Sequence, residues 1–129
     1  PGEAARLLRR SIAELQADRF GAVRRLQERF GGVAVLKGAG TLIFGPSRKP
    51  PAVCSDGNPG MSSGGMGDVL TGIIAALVAQ GLTLEDAACA GVCVHASAGD
   101  AAAAGGERGL LASDLFEPLR ALLNPGTAS

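Results

Sequence analysis

The sequence contains no tryptophan and no tyrosine, and only four of its 129 residues are phenylalanine. Proteins that bind single-stranded nucleic acid stack its bases on aromatic side chains, and this sequence offers few. Charge of one sign is lacking as well, because twelve basic residues balance twelve acidic ones. This balance gives no electrostatic reason to expect DNA, RNA or an anionic membrane as a partner. We therefore expect neither nucleic acid nor a membrane as partner.

Long apolar runs, paired cysteines and histidine clusters are also missing. The longest apolar stretch, near residues 69–79, is shorter than the roughly 20 residues of a membrane span. Cys54, Cys89 and Cys93 form no CxxC motif and no even set, so we interpret them as small buried residues in a reducing compartment. His95 is the only histidine, and we expect it to be a packing residue of its helix. With no signal sequence at its start, the chain is predicted to be cytoplasmic.

The pattern of apolar residues predicts an α/β fold. Hydrophobic residues make up 47% of the chain, and its length suits one domain. Apolar periodicity and glycine stops predict alternating helices and strands. The predicted helices cover residues 4–8, 17–30, 68–80, 83–104 with Thr83 as cap, and 114–123 with Ser113 as cap. The predicted strands cover residues 33–36, 41–44 and 52–55, and the continuous apolar run of the first is typical of parallel sheets.

A glycine-rich segment leads directly into the apolar helix predicted at 68–80. Five glycines fall within residues 57–67. Without Cβ atoms, successive backbone N–H groups can turn toward one point at the positive end of a helix, which makes an anion site. We predict that phosphate binds the amides of residues 65–68, with Gly65 and Met66 forming the anion hole.

Asp68 stands at the rim of this predicted anion site. A carboxylate there repels phosphate, so its expected role is to accept a proton from an attacking hydroxyl. Phosphoryl transfer needs little further machinery, since positioning and charge stabilisation carry most of the catalysis. The alternative is a glycine-rich turn with Asp68 as an ordinary first-turn acid. Two familiar phosphate motifs are excluded: Met66-Gly67 stands where a P-loop has Lys and Ser/Thr, and Leu70 stands where a dinucleotide fingerprint has its third glycine.

A second short motif follows the first predicted strand and consists of Lys37, Gly38, Ala39, Gly40 and Thr41. Ligands of open α/β sheets gather at the carboxyl ends of strands, where the lysine offers charge and the glycines let a ligand approach. A β-turn with a surface lysine is the alternative for this motif by itself. Together with the site at residues 65–68, it favours contact with a nucleotide.

These motifs resemble a known enzyme family. The KGAGT run at 37–41, GNPGM at 57–61 and GGMGDVLTG at 64–72 resemble the ADP/ATP-dependent NAD(P)H-hydrate dehydratases of the YjeF C-terminal type, within the ribokinase-like superfamily. The opening PGEAARLL and the ERGLLASDL at 107–115 are also similar to that family, in the same order. GGxGD alone indicates only the superfamily, whereas the combination is far more specific.

The resemblance implies a three-layer αβα ribokinase-like fold, of which residues 1–129 would be the C-terminal portion, a single partial domain. It implies a metabolite-repair lyase that restores NADH or NADPH from its hydrate with ADP or ATP as co-substrate and Mg²⁺. Lys37 to Thr41 and Gly67 would bind the adenine nucleotide, and Asp68 would contact the hydrate and act as base. Family members carry a further N-terminal portion, so the abrupt start of this chain suggests a cut one. No protein ligands for a metal are evident, and a homo-oligomer is expected.

The same residues are also compatible with two other functions. A ribokinase-like kinase for a sugar or vitamin would use the same glycines and Asp68 but release a stable phosphorylated product. A non-catalytic nucleotide-binding module would bind the nucleotide without turning over any hydrate.

Overall fold

The computed structural model describes residues 1–47 and 50–124. Its helices are α1 (Gly2–Leu8), α2 (Ile12–Ala17), α3 (Arg19–Phe30), α4 (Met66–Ala79), α5 (Leu84–Ala102) and α6 (Phe116–Leu123), and its strands are β1 (Ala34–Leu36), β2 (Thr41–Phe44) and β3 (Ala52–Cys54). The predicted α/β class is confirmed. None of these helices is long and apolar enough to cross a membrane.

The chain forms two compact units. The first contains Pro1–Ser55 and Thr83–Cys89, and the second contains Asp56–Leu82 and Ala90–Ser129. The KGAGT motif belongs to the first unit and the glycine-rich segment before α4 belongs to the second.

The sheet of the first unit is antiparallel, so the parallel arrangement expected from the apolar run at 33–36 is wrong. Strand β2 pairs with both of its neighbours, Val35 opposite Ile43 on one side and Leu42 opposite Val53 on the other. Only residues 37–40 connect β1 to β2, and so short a connection makes a hairpin, whereas a parallel pair needs a crossover of a dozen or more residues. Only Leu36 of this strand is buried in the core, whereas Ala34 and Val35 are half-buried.

The helix predicted at 17–30 is shorter in the structure, and a helix that was not predicted precedes it. Asp18 lies between α2 and α3 with non-helical angles, and its carboxylate accepts the Gly21 N–H at 2.8 Å, which caps α3. Helix α2 begins at a capping box in which the Ser11 hydroxyl accepts the Glu14 N–H. The S-x-x-E pattern at 11–14 is the sequence signal that predicts this start.

A core of mostly small and aliphatic side chains, with one phenylalanine, joins α1, α2 and α3 to β1 and β2. Leu15, Val23 and Leu42 are among its most buried members. The apolar repeat of α3 is only partly internal, because Phe20 and Phe30 are about half exposed at 49% and 54%.

The second unit packs α4 and α6 against the later part of α5. Its core contains Met66, Ala98, Leu110, Leu115 and Leu119. Cys93 is exposed on α5 and Cys89 is half-buried, so of the three cysteines only Cys54 is buried as predicted.

Two helix starts in the second unit differ from the prediction. Helix α4 begins at Met66 rather than at Asp68, because Gly65 takes the left-handed conformation that starts the helix earlier. Helix α6 begins at Phe116 after a 3₁₀ turn, Ala112–Leu115, and Ser113 does not cap it. The side-chain contact at this place belongs to the 3₁₀ turn, where the Asp114 carboxylate accepts the Leu111 N–H at 2.8 Å.

The predicted Thr83 cap of α5 is confirmed, since its hydroxyl accepts the Asp86 N–H at 3.1 Å.

Candidate functional site

The KGAGT motif forms the turn between β1 and β2. Gly38 and Gly40 have φ angles of 151° and 70°, values that L side chains rarely adopt. Lys37 and Thr41 flank the turn and are half-buried. Of the six residues that the family resemblance assigns to nucleotide binding, all but Gly67 thus form one continuous segment, the hairpin turn and the first residue of β2, which we call the nucleotide turn (residues 37–41).

The side chain of Arg19, at the first position of α3, holds the nucleotide turn. Its Nη1 donates to the Ala39 carbonyl, and its Nη2 donates to the Gly40 carbonyl at 2.9 Å and to the Leu36 carbonyl at 3.3 Å. Three backbone acceptors on one guanidinium make a rigid connection, because the five N–H groups of arginine lie in one plane.

The second unit presents the start of α4. Gly65 is the N-cap with φ 87°, and the first helical hydrogen bond runs from the Val69 N–H to the Gly65 carbonyl at 3.1 Å. The N–H groups of Met66, Gly67 and Asp68 therefore precede the hydrogen-bonded ladder. Of these three residues, Gly67 and Asp68 are exposed and Met66 is buried. Asp68 is the third residue of the helix, and its side chain is exposed. The structure thus brings together the residues predicted as anion hole and base.

Buried contacts hold this helix start in place. Met66 is 1% exposed, and its backbone carbonyl oxygen lies 2.9 Å from Nε2 of the buried His95. Since a carbonyl can only accept, Nε2 of His95 carries a proton. The Thr71 hydroxyl donates to the Gly67 carbonyl one turn earlier at 2.9 Å. The prediction that His95 is a satisfied packing residue is confirmed.

The loop that carries GNPGM is held by Asp100 of α5. One carboxylate oxygen accepts the Gly57 N–H at 3.0 Å, and the other accepts the Asn58 side-chain amide at 2.8 Å. This leaves Asn58 Oδ1 buried and without a hydrogen-bond partner among the described residues.

Two glycines near this loop serve close packing. A Cβ at Gly60 would lie 2.6 Å from the Glu107 carbonyl oxygen, and a Cβ at Gly99 would collide with the Met61 side chain. Glycine is therefore required at position 60 because the backbone of Glu107 lies so close, in addition to any role near a ligand. Part of the high glycine content reflects such contacts.

Sequence reasoning missed Arg19 and Asp100. Both act on backbone groups at least 17 residues away, with separations of 17 to 21 residues for Arg19 and 43 for the bond of Asp100 to Gly57. Neither lies in a motif, and a charged residue on a helix is ordinarily a solvated one. No local signal distinguishes them.

Comparison with known proteins assigns the family. The model of the NAD(P)H-hydrate dehydratase family matches residues 1–120. The chain belongs to this family. The resemblance found in the motifs is thereby confirmed.

Individual relatives agree with the assignment. The bifunctional NAD(P)H-hydrate repair enzyme Nnr of Vibrio cholerae is 61% identical over 125 residues, covering 96% of this chain and 25% of its own length. The ADP-dependent (S)-NAD(P)H-hydrate dehydratase of Neisseria meningitidis is 45% identical over 131 residues, covering the whole chain and 44% of its own length. The chain thus spans a quarter to under half of these curated relatives.

A solved structure shares the fold. The ADP/ATP-dependent NAD(P)H-hydrate dehydratase of Bacillus subtilis, co-crystallized with ATP and Mg²⁺, superposes with a TM-score of 0.86 at 28% identity. The match covers 95% of this chain and 44% of that one. The fold of this chain is therefore that of the corresponding part of the family.

Proposed function

We propose that this chain supplies the nucleotide turn and the base of an enzyme that dehydrates hydrated NADH or NADPH. The reaction uses ADP and yields AMP and phosphate. The observation that carries the proposal is the start of α4, where Asp68 stands exposed beside the amides of Met66 and Gly67, which precede the helical ladder. The names of the relatives from Vibrio and Neisseria support the same substrate and nucleotide.

The proposed chemistry has two steps. In the first, Asp68 accepts the proton of the ring hydroxyl while that oxygen takes the terminal phosphoryl group of ADP, which leaves AMP. In the second, the phosphate leaves the ring together with a ring proton, and the double bond of the dihydronicotinamide forms again. The amides at the start of α4 would stabilise the negative charge of the transferring group, because they are fixed in place before the reaction.

The residues of the first unit would bind the nucleotide. Lys37 offers a positive charge, and the turn at Gly38 to Thr41 offers backbone groups without bulky side chains. The family resemblance also assigns Gly67, in the second unit, to nucleotide binding. These roles, like that of Asp68, are assignments from the family resemblance that the local geometry of each unit supports.

Magnesium fits this chain as a companion of the nucleotide. Among residues 1–47 and 50–124, no three His, Cys, Asp or Glu side chains form a cluster that would hold a metal. Mg²⁺ often keeps several waters and is held largely by substrate phosphates, so the phosphates of the nucleotide would be its main ligands here. The ion would supply charge neutralisation at the phosphates. A cytoplasmic location, a homo-oligomer and a single partial domain over residues 1–129 stay predictions.

A small-molecule kinase is the second candidate, since it needs the same anion site and base. The two candidates differ in product: the kinase leaves a stable phosphate ester, and the dehydratase releases inorganic phosphate. The Neisseria and Bacillus relatives are both named as dehydratases and therefore favour the dehydratase.

The direct test is to incubate the chain with hydrated NADH, Mg²⁺ and either ADP or ATP and to follow the absorbance of re-formed NADH. We expect absorbance to recover with ADP, with one AMP and one phosphate per NADH. Nucleotide consumption that yields a phosphorylated hydrate and no NADH would identify a kinase. Binding of ADP without any turnover would identify a binding module.

A further inference from the structure

We propose that Arg19 is a positioning residue of the nucleotide turn, fixing the backbone that receives the adenine nucleotide. The inference rests on the proposed function, because it assumes that residues 37–41 bind this ligand. Its structural basis is the set of three backbone carbonyls, of Leu36, Ala39 and Gly40, that one guanidinium gathers.

The three hydrogen bonds determine where the amides of the turn point. In a trans peptide the C=O and the N–H lie on opposite sides of the C–N bond. Since the carbonyls of Leu36, Ala39 and Gly40 point at Arg19, the N–H groups of the following residues, Lys37, Gly40 and Thr41, point away from it. Arg19 thus orients three N–H groups of the nucleotide turn, of which that of Thr41 belongs to strand β2, opposite Cys54.

The arginine also accounts for the glycine at position 38. A Cβ on Gly38 would lie 2.9 Å from Nη2 of Arg19 and 3.2 Å from its Cζ. The guanidinium therefore lies directly against the backbone of the turn. Gly38, which the sequence suggests for ligand approach, has a φ of 151° and also leaves room for this contact with Arg19.

The charge of Arg19 is not neutralised by a neighbouring acid. Among the described residues no carboxylate forms an ion pair with it, and the adjacent Asp18 faces Arg25 instead, at 3.5 Å. Its Nε atom is buried with no hydrogen-bond partner in the described part of the chain. A positive charge thus lies behind the turn, with the sign that a nucleotide phosphate requires.

Loss of Arg19 should weaken nucleotide binding through the conformation of the turn. If the turn adopts its binding conformation only about a tenth of the time, the apparent dissociation constant rises about tenfold. Lysine keeps the charge but lacks the planar fork, so it should restore part of the affinity.

The test titrates the chain with ADP by calorimetry in the variants Arg19→Gln, Arg19→Lys and Arg29→Gln. Arg29 is the matched control, because it is an exposed arginine of the same helix that stacks on Phe30 at 5.4 Å. We expect affinity to fall about tenfold for R19Q, less for R19K, and to stay within about twofold for R29Q. Circular dichroism verifies that each variant is folded.

Hydrogen exchange separates positioning from general stabilisation. We expect R19K, without ligand, to exchange faster at residues 37–41 and at the unaltered rate in α4 and α5. Faster exchange throughout the chain, or unaltered ADP affinity in R19Q while the parent chain binds ADP, would overturn the inference alone. Failure of the parent chain to bind ADP would overturn the proposed function and, with it, the role given to Arg19.

Discussion

Single residues of the second unit show how a predicted site depends on contacts that the sequence does not reveal. Asp68 could be singled out from sequence because it stands next to a glycine cluster at a helix start. Asp100 could not, since its two bonds cross 42 and 43 residues of chain. Its carboxylate is the acceptor that gives the GNPGM loop a defined position.

Replacement of Asp100 by Asn should loosen this loop. The Asp100 carboxylate accepts one hydrogen bond at each oxygen, from the Gly57 N–H and from the Asn58 amide. An asparagine would present an NH₂ group to one of these two donors, and that hydrogen bond would be lost. We expect the free energy of unfolding to fall by about 1 kcal/mol, measured by urea denaturation. The control Asp56→Asn removes an exposed charge nearby and should change it by less than about 0.5 kcal/mol. Equal effects of the two substitutions would contradict the holding role of Asp100.

At the scale of elements, the start of α4 depends on the backbone of Gly65. The sequence predicts this helix and its glycine-rich approach correctly but places the start two residues late. Gly65 takes a left-handed conformation that lets Met66 and Gly67 join the helix. A residue pattern does not reveal which of several adjacent glycines turns the chain.

Alanine substitutions in α4 should distinguish the helix start from the helix interior. Gly65→Ala forces an L side chain to φ 87° and brings its Cβ within 3.2 Å of the Ala112 Cβ, so we expect a loss of about 1–2 kcal/mol of unfolding free energy. Gly72→Ala lies in the same helix with open space around its Cβ and should stabilise by up to about 1 kcal/mol. Urea denaturation measures both, and a stabilising Gly65→Ala would contradict the geometry.

Helix α2 provides a pH-dependent element. Hydrogen bonds from the Ser11 backbone and hydroxyl, and then from Arg10, favour the charged carboxylate and hold the pKa of Glu14 below its usual value of 4.5. A lowered folded-state pKa stabilises the protein above the unfolded pKa, and this contribution disappears as the pH falls through the folded one.

Glu14→Gln should therefore lower the melting temperature at neutral pH, and the difference from the parent chain should shrink below about pH 4.5. Glu28→Gln, an exposed change on α3, is the control and should leave the melting temperature nearly unaltered. A difference for Glu14→Gln that grew as the pH fell would contradict the capping contact.

Sequence patterns predicted the strands and helices that depend on local signals. They were wrong where contacts between residues distant in sequence determine the structure. The strand at 41–44 and the cap at Thr83 follow from apolar content and local hydrogen bonding, and both are present. The parallel sheet was wrong because a buried apolar strand can pair in either direction, and only the four-residue connection decides between them. The interruption at Asp18 was missed because an N-cap inside a continuous helical pattern has a weak signal.

At the scale of the whole molecule, family membership and fold are established while the activity is proposed. All of this chain matches the Neisseria dehydratase, but the match covers only 44% of that enzyme. Each of its units has a buried core of its own. The nucleotide turn and the anion site are each assembled within one of these units, so both motifs have the local structure that the proposed roles require.

The most direct test of the central claim compares the chain with its Asp68→Asn variant in the absorbance assay with hydrated NADH, Mg²⁺ and ADP. Asparagine keeps the shape at the start of α4 but cannot accept the hydroxyl proton, so we expect the rate to fall at least about 100-fold while ADP affinity is retained. Glu117→Gln, which removes an exposed acid from the first turn of α6, should leave the rate unaltered. NADH recovery by the Asp68→Asn variant at the parent rate would contradict the role of Asp68 as base.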